Sequence, residues 1–125
     1  MKVERLTTLD VRKVGKRNWE LTAPFVVKVI RDDGTSFMIR VNSGFVTDFA
    51  SVPRIPLVFF LFGGVGEYAA CIHDFLYRTA MLPRDESDAI FRAALIDVDE
   101  TSSTRAFFMH KGVRLGGVTS YAGYN

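Results

Sequence analysis

The densest group of chemically able side chains lies in Cys71-Ile72-His73-Asp74-Phe75-Leu76-Tyr77-Arg78, where a histidine and an aspartate stand side by side in an apolar segment. On a helix, residues four apart stack on one face, so His73 aligns with Ala69 and Tyr77 and has Leu76 beside it. Asp74 falls about a hundred degrees round, with Ala70 and Arg78. An imidazole and a phenol then point inward while a carboxylate sits at the edge. Asp88 comes three residues before Phe91 and seven before Leu95, on the apolar face of a following helix. A carboxylate there is costly unless something hydrogen-bonds it. Helices joined by a linker as short as Met81-Leu82-Pro83 tend to pack antiparallel, which brings Asp88 within reach of His73 or Tyr77. His73 would then be a base oriented by one carboxylate, with Asp74 left to ligate a hard cation. Water activation needs such a base near neutrality and a cation or donor for the developing oxyanion. The same groups admit a second reading, a satisfied buried polar network that fixes helix register. Exposure separates the two: a base must open onto a cleft.

The elements that would hold these residues follow from periodicity. Residues 67–80 and 84–98 read as helices, the second with Ile90, Phe91, Ala94, Leu95 and Val98 at helical spacing and Asp85 or Arg84 near its cap. A third helix opens at the N-cap residues Thr101-Ser102-Ser103 and ends at Gly116-Gly117. Upstream, Trp19-Glu20-Leu21, Phe25–Ile30, Phe37–Val41 and Phe45-Val46-Thr47 read as strands. Asp32-Asp33-Gly34-Thr35 forms a hairpin turn in which Gly34 accepts a positive φ. The expectation is an α+β chain with one domain over 1–125: a small antiparallel sheet of three to five strands in 1–47, a connector over 48–66, a three-helix part over 67–117 and a small polar tail over 118–125. A connector that long is often functional.

Composition narrows the classes. The chain has 125 residues, of which 48% are hydrophobic and 24% charged, which suits one globular domain. Eleven Phe predict a phenylalanine-rich core. A net charge of +2 with scattered bases argues against a nucleic-acid partner. The basic run Arg12-Lys13-Val14-Gly15-Lys16-Arg17 reads as a solvated turn. A single cysteine excludes an internal disulfide, and Cys71 reads as a small core hydrophobe. His110, beside Lys111, reads as solvated or packed at a helix end. The first residues lack an apolar leader, and Ile55–Phe62 is far short of the roughly 20 residues that span a bilayer, so synthesis in the cytoplasm is expected.

Two resemblances sharpen these expectations. Gly44-Phe45-Val46-Thr47-Asp48-Phe49-Ala50-Ser51-Val52-Pro53-Arg54, then His73-Asp74-Phe75-Leu76-Tyr77, then Asp88-Ala89-Ile90-Phe91 resemble the ordered motifs of a domain-of-unknown-function family common in bacteriophage and prophage genomes. That resemblance spans about residues 20–116 and implies a phage-encoded protein made in the host cytoplasm, with the virion as a place for it and other virion proteins as partners. The string Ala70-Cys71-Ile72-His73-Asp74-Phe75-Leu76-Tyr77-Arg78 is similar to the active-site helix of bacterial and fungal secreted phospholipases A2. There a cysteine two residues before the His-Asp pair and an aromatic four residues after the His recur, and a second antiparallel helix supplies an aspartate. This similarity implies His73 as general base, Asp88 orienting it, Tyr77 supporting the network and Asp74 ligating calcium.

Calcium also needs oxygen ligands from a loop, for which the Thr47-Asp48 to Ser51 turn and Gly63-Gly64-Val65-Gly66 are the nearby candidates, Asp48 and Gly64 in particular. Ile55–Phe62 would then meet a lipid surface or an acyl chain; the same run also reads as a loop folded over the core. The function expected is a metal-assisted ester or phospholipid hydrolase. The alternative is a non-enzymatic virion or tail-assembly component, in which Asp48, Thr47 and Ser51 cap backbone amides and Arg54 pairs with Asp48 or Asp74.

Overall fold

The structure, a computed structural model, describes residues 1–49, 66–118, 121 and 122. The expectations placed on Ser51, Arg54, Ile55–Phe62 and Gly64 lie outside the described residues. Six strands precede three helices: β1 Lys2–Arg5, β2 Val11–Lys13, β3 Trp19–Leu21, β4 Phe25–Ile30, β5 Ser36–Val41, β6 Val46–Thr47, α1 Glu67–Thr79, α2 Arg84–Asp97 and α3 Ser103–Gly116. The fold is α+β. The strands form two antiparallel sheets of three, ordered β1-β4-β5 and β2-β3-β6, rather than one.

Strand β4 has the clearest pattern. Phe25, Val27 and Val29 are buried while the residues between them are half-buried, the period-2 alternation of a sheet with one face on the core. It pairs with β5 from Phe25↔Val41 to Ile30↔Ser36. The turn between them closes as expected, with Gly34 at φ 88° and Asp33 accepting from the Thr35 amide at 2.9 Å. Strands β1 and β2 were not expected. β1 buries a single apolar residue, Val3, opposite Val29, and β2 is solvated along most of its length. The expected solvated turn at Arg12–Arg17 is therefore half strand: Arg12 and Lys13 pair with Glu20 and Trp19, and the chain turns at Val14, whose amide reaches Asn18 O at 3.0 Å.

The helices fall within a residue or two of their expected limits. α1 follows Gly66, which has no side chain to cap it. The carboxylate of Asp99, from the α2–α3 connection, takes that role by accepting the Tyr68 amide at 3.2 Å and the Ala69 amide at 2.9 Å. α3 is capped by Ser102, whose hydroxyl accepts from Arg105 N at 3.2 Å. β1 is tied to α2 by the Val3 amide, which donates to Asp97 Oδ2 at 2.8 Å. The tail folds back on the helices: Ala122 N donates to Tyr77 O at 2.8 Å, and the Tyr121 ring stands edge-on to Tyr77.

The core lies between the β1-β4-β5 sheet and the three helices, joining Val27, Val29 and Ile39 to Ile72, Leu76, Ile90, Leu95 and Met109. It is mainly aliphatic rather than phenylalanine-rich among the described residues. Among the described residues only Phe25 and Phe91 are fully buried Phe, while Phe37, Phe45, Phe49 and Phe75 pack at its margin and Phe107 and Phe108 are exposed. β-Branched side chains fit the pleat, so the larger rings move to the edges.

Candidate active site

The turn Ala80–Pro83 folds α2 back along α1, and the expected pairing of their polar residues forms. His73 Nε2 lies 2.7 Å from Asp88 Oδ1, and the Tyr77 hydroxyl donates to the same oxygen at 2.6 Å. His73 and Tyr77, one turn apart, stack with ring centroids 4.0 Å from each other, and Phe91 closes the other side of the imidazole at 4.8 Å. His73 and Asp88 are fully buried. Two arginines complete the cluster. Arg114 Nη1, from α3, donates to Asp88 Oδ2 at 2.8 Å. Arg84 Nε donates to the Tyr77 oxygen at 3.1 Å, and its Nη2 reaches the carbonyls of Val113 and Arg114 at 2.8 and 2.6 Å. Asp88, on α2, thus gathers donors from α1 and α3.

The electrostatics assign the hydrogens. Burial alone would raise the Asp88 carboxyl, but hydrogen bonds from His73, Tyr77 and Arg114 outweigh it and hold the group below its ordinary range. Asp88 is therefore ionised and can only accept. Burial lowers the His73 imidazole against the pull of Asp88, so the ring is neutral at neutral pH. A neutral imidazole facing an acceptor-only oxygen must place its hydrogen on Nε2, which leaves the lone pair on Nδ1. That atom is one of two buried side-chain polar atoms without a hydrogen-bond partner among the described residues, the other being Thr101 Oγ1. Burial, together with the charge of Asp88, pushes the Tyr77 phenol up, so it remains a donor. Cys71 is fully buried and its thiol is pushed up to about 12 by burial, which suits the expected role as a small core residue.

Asp74 is buried rather than set at the helix edge. Its Oδ2 accepts from Arg78 Nη2 at 3.0 Å, and Arg78 also donates through Nη1 to Val46 O at 2.6 Å and lies over the Phe45 ring. This stitch brings β6, and the turn carrying Asp48, against the edge of α1. In that turn the Thr47 hydroxyl accepts the Phe49 amide at 3.1 Å, one of the backbone caps expected there. Among the described residues no three His, Cys, Asp or Glu side chains converge as ligands of a metal ion. Asp74 carries the Arg78 guanidinium on Oδ2, and Gly64 lies outside the described residues. His110 lies within α3, not at its end. It lines a groove with Met1, Ala89, Arg92, Ala93 and Ile96, and its imidazole is lowered by burial.

Sequence reasoning reached His73, Tyr77 and Asp88 through helical spacing but missed Arg84, Arg114 and Asp99. Arg84 stands four residues before Asp88, a spacing that pairs opposite charges on a helix, so a signal for it existed. Arg114 and Asp99 meet their partners only through tertiary packing.

No curated protein and no solved structure matches the chain at a significant level. The family model described as a protein of unknown function (DUF1353) matches residues 19–113, which contain the strands β3 to β6 and every residue of the His73–Asp88 cluster except Arg114. The chain belongs to that family.

Proposed function

We propose that the chain is a small hydrolase of esters, phospholipids among them, in which His73 acts through Nδ1 as the general base. The observation that carries this reading is the buried Nδ1, which has a lone pair and no partner, on a ring whose other nitrogen is anchored to an ionised carboxylate. In the reaction, once the site opens to admit it, a water gives its proton to Nδ1 as its oxygen attacks the ester carbonyl carbon. Asp88 stays ionised and steadies the imidazolium, which then returns the proton to the departing alkoxide. Tyr77 and Arg114 keep the carboxylate in place. Calcium at Asp74, with Asp48 and the Gly64 carbonyl as further ligands, belongs to the proposal as the source of oxyanion stabilisation. So do a lipid-facing role for Ile55–Phe62 and an origin in a phage or prophage, the last supported by the motifs at residues 44–54, 73–77 and 88–91.

A second reading, a non-enzymatic virion component, is favoured by one observation: His73 has no solvent exposure, and its network joins three helices as a structural rivet would. Two measurements on the full chain separate the readings. Hydrolysis of short-chain esters and phospholipid vesicles is followed with and without calcium, in the wild type and in His73→Gln. Calcium binding is followed by calorimetry beside Asp74→Asn. Turnover lost in His73→Gln supports the enzyme, and calcium heat lost in Asp74→Asn supports the metal. A folded wild type that turns over none of these substrates and binds no calcium leaves the rivet.

A further inference from the structure

We propose that the outer face of α3 docks on an anionic phospholipid surface, with Phe107, Phe108 and Leu115 entering the acyl boundary while Arg92, Arg105 and Lys111 meet the headgroup phosphates. The proposal does not depend on the hydrolase reading, and it uses a different surface from Ile55–Phe62.

Helix α3 has two apolar faces. Ala106, Met109 and Val113 fill the core, yet Phe107, Phe108 and Leu115 stand outward at 39, 53 and 82% exposure. Helical spacing gathers the outward residues into one stripe, because Phe107, Lys111 and Leu115 follow at four-residue steps and Phe108 lies three before Lys111. A single exposed apolar side chain is ordinary, whereas a contiguous stripe marks a contact surface. The groove lined by Arg92, Ile96 and His110 borders this stripe, since Arg92 also lies over the Phe107 ring. The charge on the face has one sign. α3 carries Arg105, His110, Lys111 and Arg114 and no Asp or Glu. The Arg92 guanidinium and Lys111 Nζ stand 5.5 and 5.4 Å from the centroid of Phe107. Their apolar stems can follow the ring downward while the cations stay with the phosphates, as long basic side chains do at a membrane interface. Charge also decides among occupants. A second copy related by a two-fold axis would bring this cationic face against itself, which like charges oppose. A protein partner must offer a recess fitted to each side chain that protrudes as Leu115 does, whereas acyl chains close round any shape. An anionic bilayer supplies phosphates and, just beneath them, an apolar layer.

The test mixes the full chain with sucrose-loaded vesicles of phosphatidylcholine, alone or with equal parts of phosphatidylglycerol, and reads the bound fraction by sedimentation. Binding should appear only with phosphatidylglycerol and should weaken as salt is raised. Lys111→Glu, and Phe108→Gln combined with Leu115→Gln, should each lower the partition by about tenfold or more. All three residues are exposed, so the replacements leave the core as it is; the salt response of the wild type decides the electrostatic part even if a variant fails to fold. Wild-type binding that both variants retain overturns the proposal and moves the membrane contact to another surface. Equal binding to the two kinds of vesicle overturns it as well, since the cations would then contribute nothing. No binding to either also overturns it: a dimer that Leu115→Gln splits would make a second copy the occupant, and a monomer would leave the face to an acidic protein. Binding by a chain that hydrolyses no ester would leave the docking face standing and remove the hydrolase reading instead.

Discussion

Replacing Asp88 with Asn tests the cluster most directly, because it changes charge and hydrogen-bonding pattern at almost constant shape. The carboxylate accepts at both oxygens: from His73 and Tyr77 on Oδ1 and from Arg114 on Oδ2. An amide has one accepting and one donating end, so either orientation leaves a donor unmatched, even if His73 moves its hydrogen to Nδ1, which has no partner. With its oxygen toward His73, its NH₂ faces Arg114 Nη1 across what was a 2.8 Å contact, and a charge-assisted hydrogen bond worth roughly 1.5–3 kcal/mol is lost. Arg114 can recover part of this by turning to water, since its side chain is 37% exposed. Reversed, the NH₂ faces Nε2 and the Tyr77 hydroxyl, neither of which can reach water, and an unsatisfied buried donor costs roughly 1–3 kcal/mol. Removing a buried charge returns some desolvation energy. The net expectation is a loss of about 3 kcal/mol, or roughly 10 °C in Tm for a chain of this size. Urea unfolding followed by circular dichroism should show the midpoint falling with an unchanged slope. A loss below about 0.5 kcal/mol, the scale of an ordinary surface change, would refute the account of Asp88 as an ionised hub of three helices.

Two further outcomes follow from single contacts. Burial raises the Asp99 carboxyl to about 6, and the Ala69 and Tyr68 amides offset this only in part. The folded chain therefore binds this proton more tightly than the unfolded one, and the group's contribution to stability falls as pH rises from about 4 to about 6. Asp99→Asn should flatten that part of the stability–pH curve in chemical denaturation; an unchanged slope would refute the assignment. A Cβ at Gly117 would lie 2.9 Å from the Tyr77 hydroxyl and 2.6 Å from Val113 O. Gly117→Ala should thus cost about 1–3 kcal/mol by overpacking, and a Tm within 1 °C of wild type, corresponding to a few tenths of a kcal/mol, would show that the end of α3 gives way freely.

Much of the architecture is legible along the chain because it depends on local periodicity. The alternation in Phe25–Ile30, the turn at Gly34 and the helical spacing of Ile90, Phe91, Ala94 and Leu95 each report which face is buried, and the polar residues at those spacings marked His73, Tyr77 and Asp88 as neighbours. β1 and β2 escaped notice because, apart from Val3, their residues stay partly or fully open to solvent, so no apolar alternation announces them. The division into two sheets also rests on pairings between distant strands, such as β1 with β4 and β3 with β6, which no local pattern encodes.

The sequence by itself determined that a histidine, a phenol and a carboxylate would share the interface of a helical hairpin, since residues four apart on one helix must face the same way. Only the tertiary structure decided what state those groups are in. The imidazole is neutral because it is buried, and Asp88 is ionised because His73, Tyr77 and Arg114 donate to it, the last from a helix 26 residues further along the chain. A pKa is set by everything within a few ångströms of the group, and those neighbours are chosen by packing rather than by spacing.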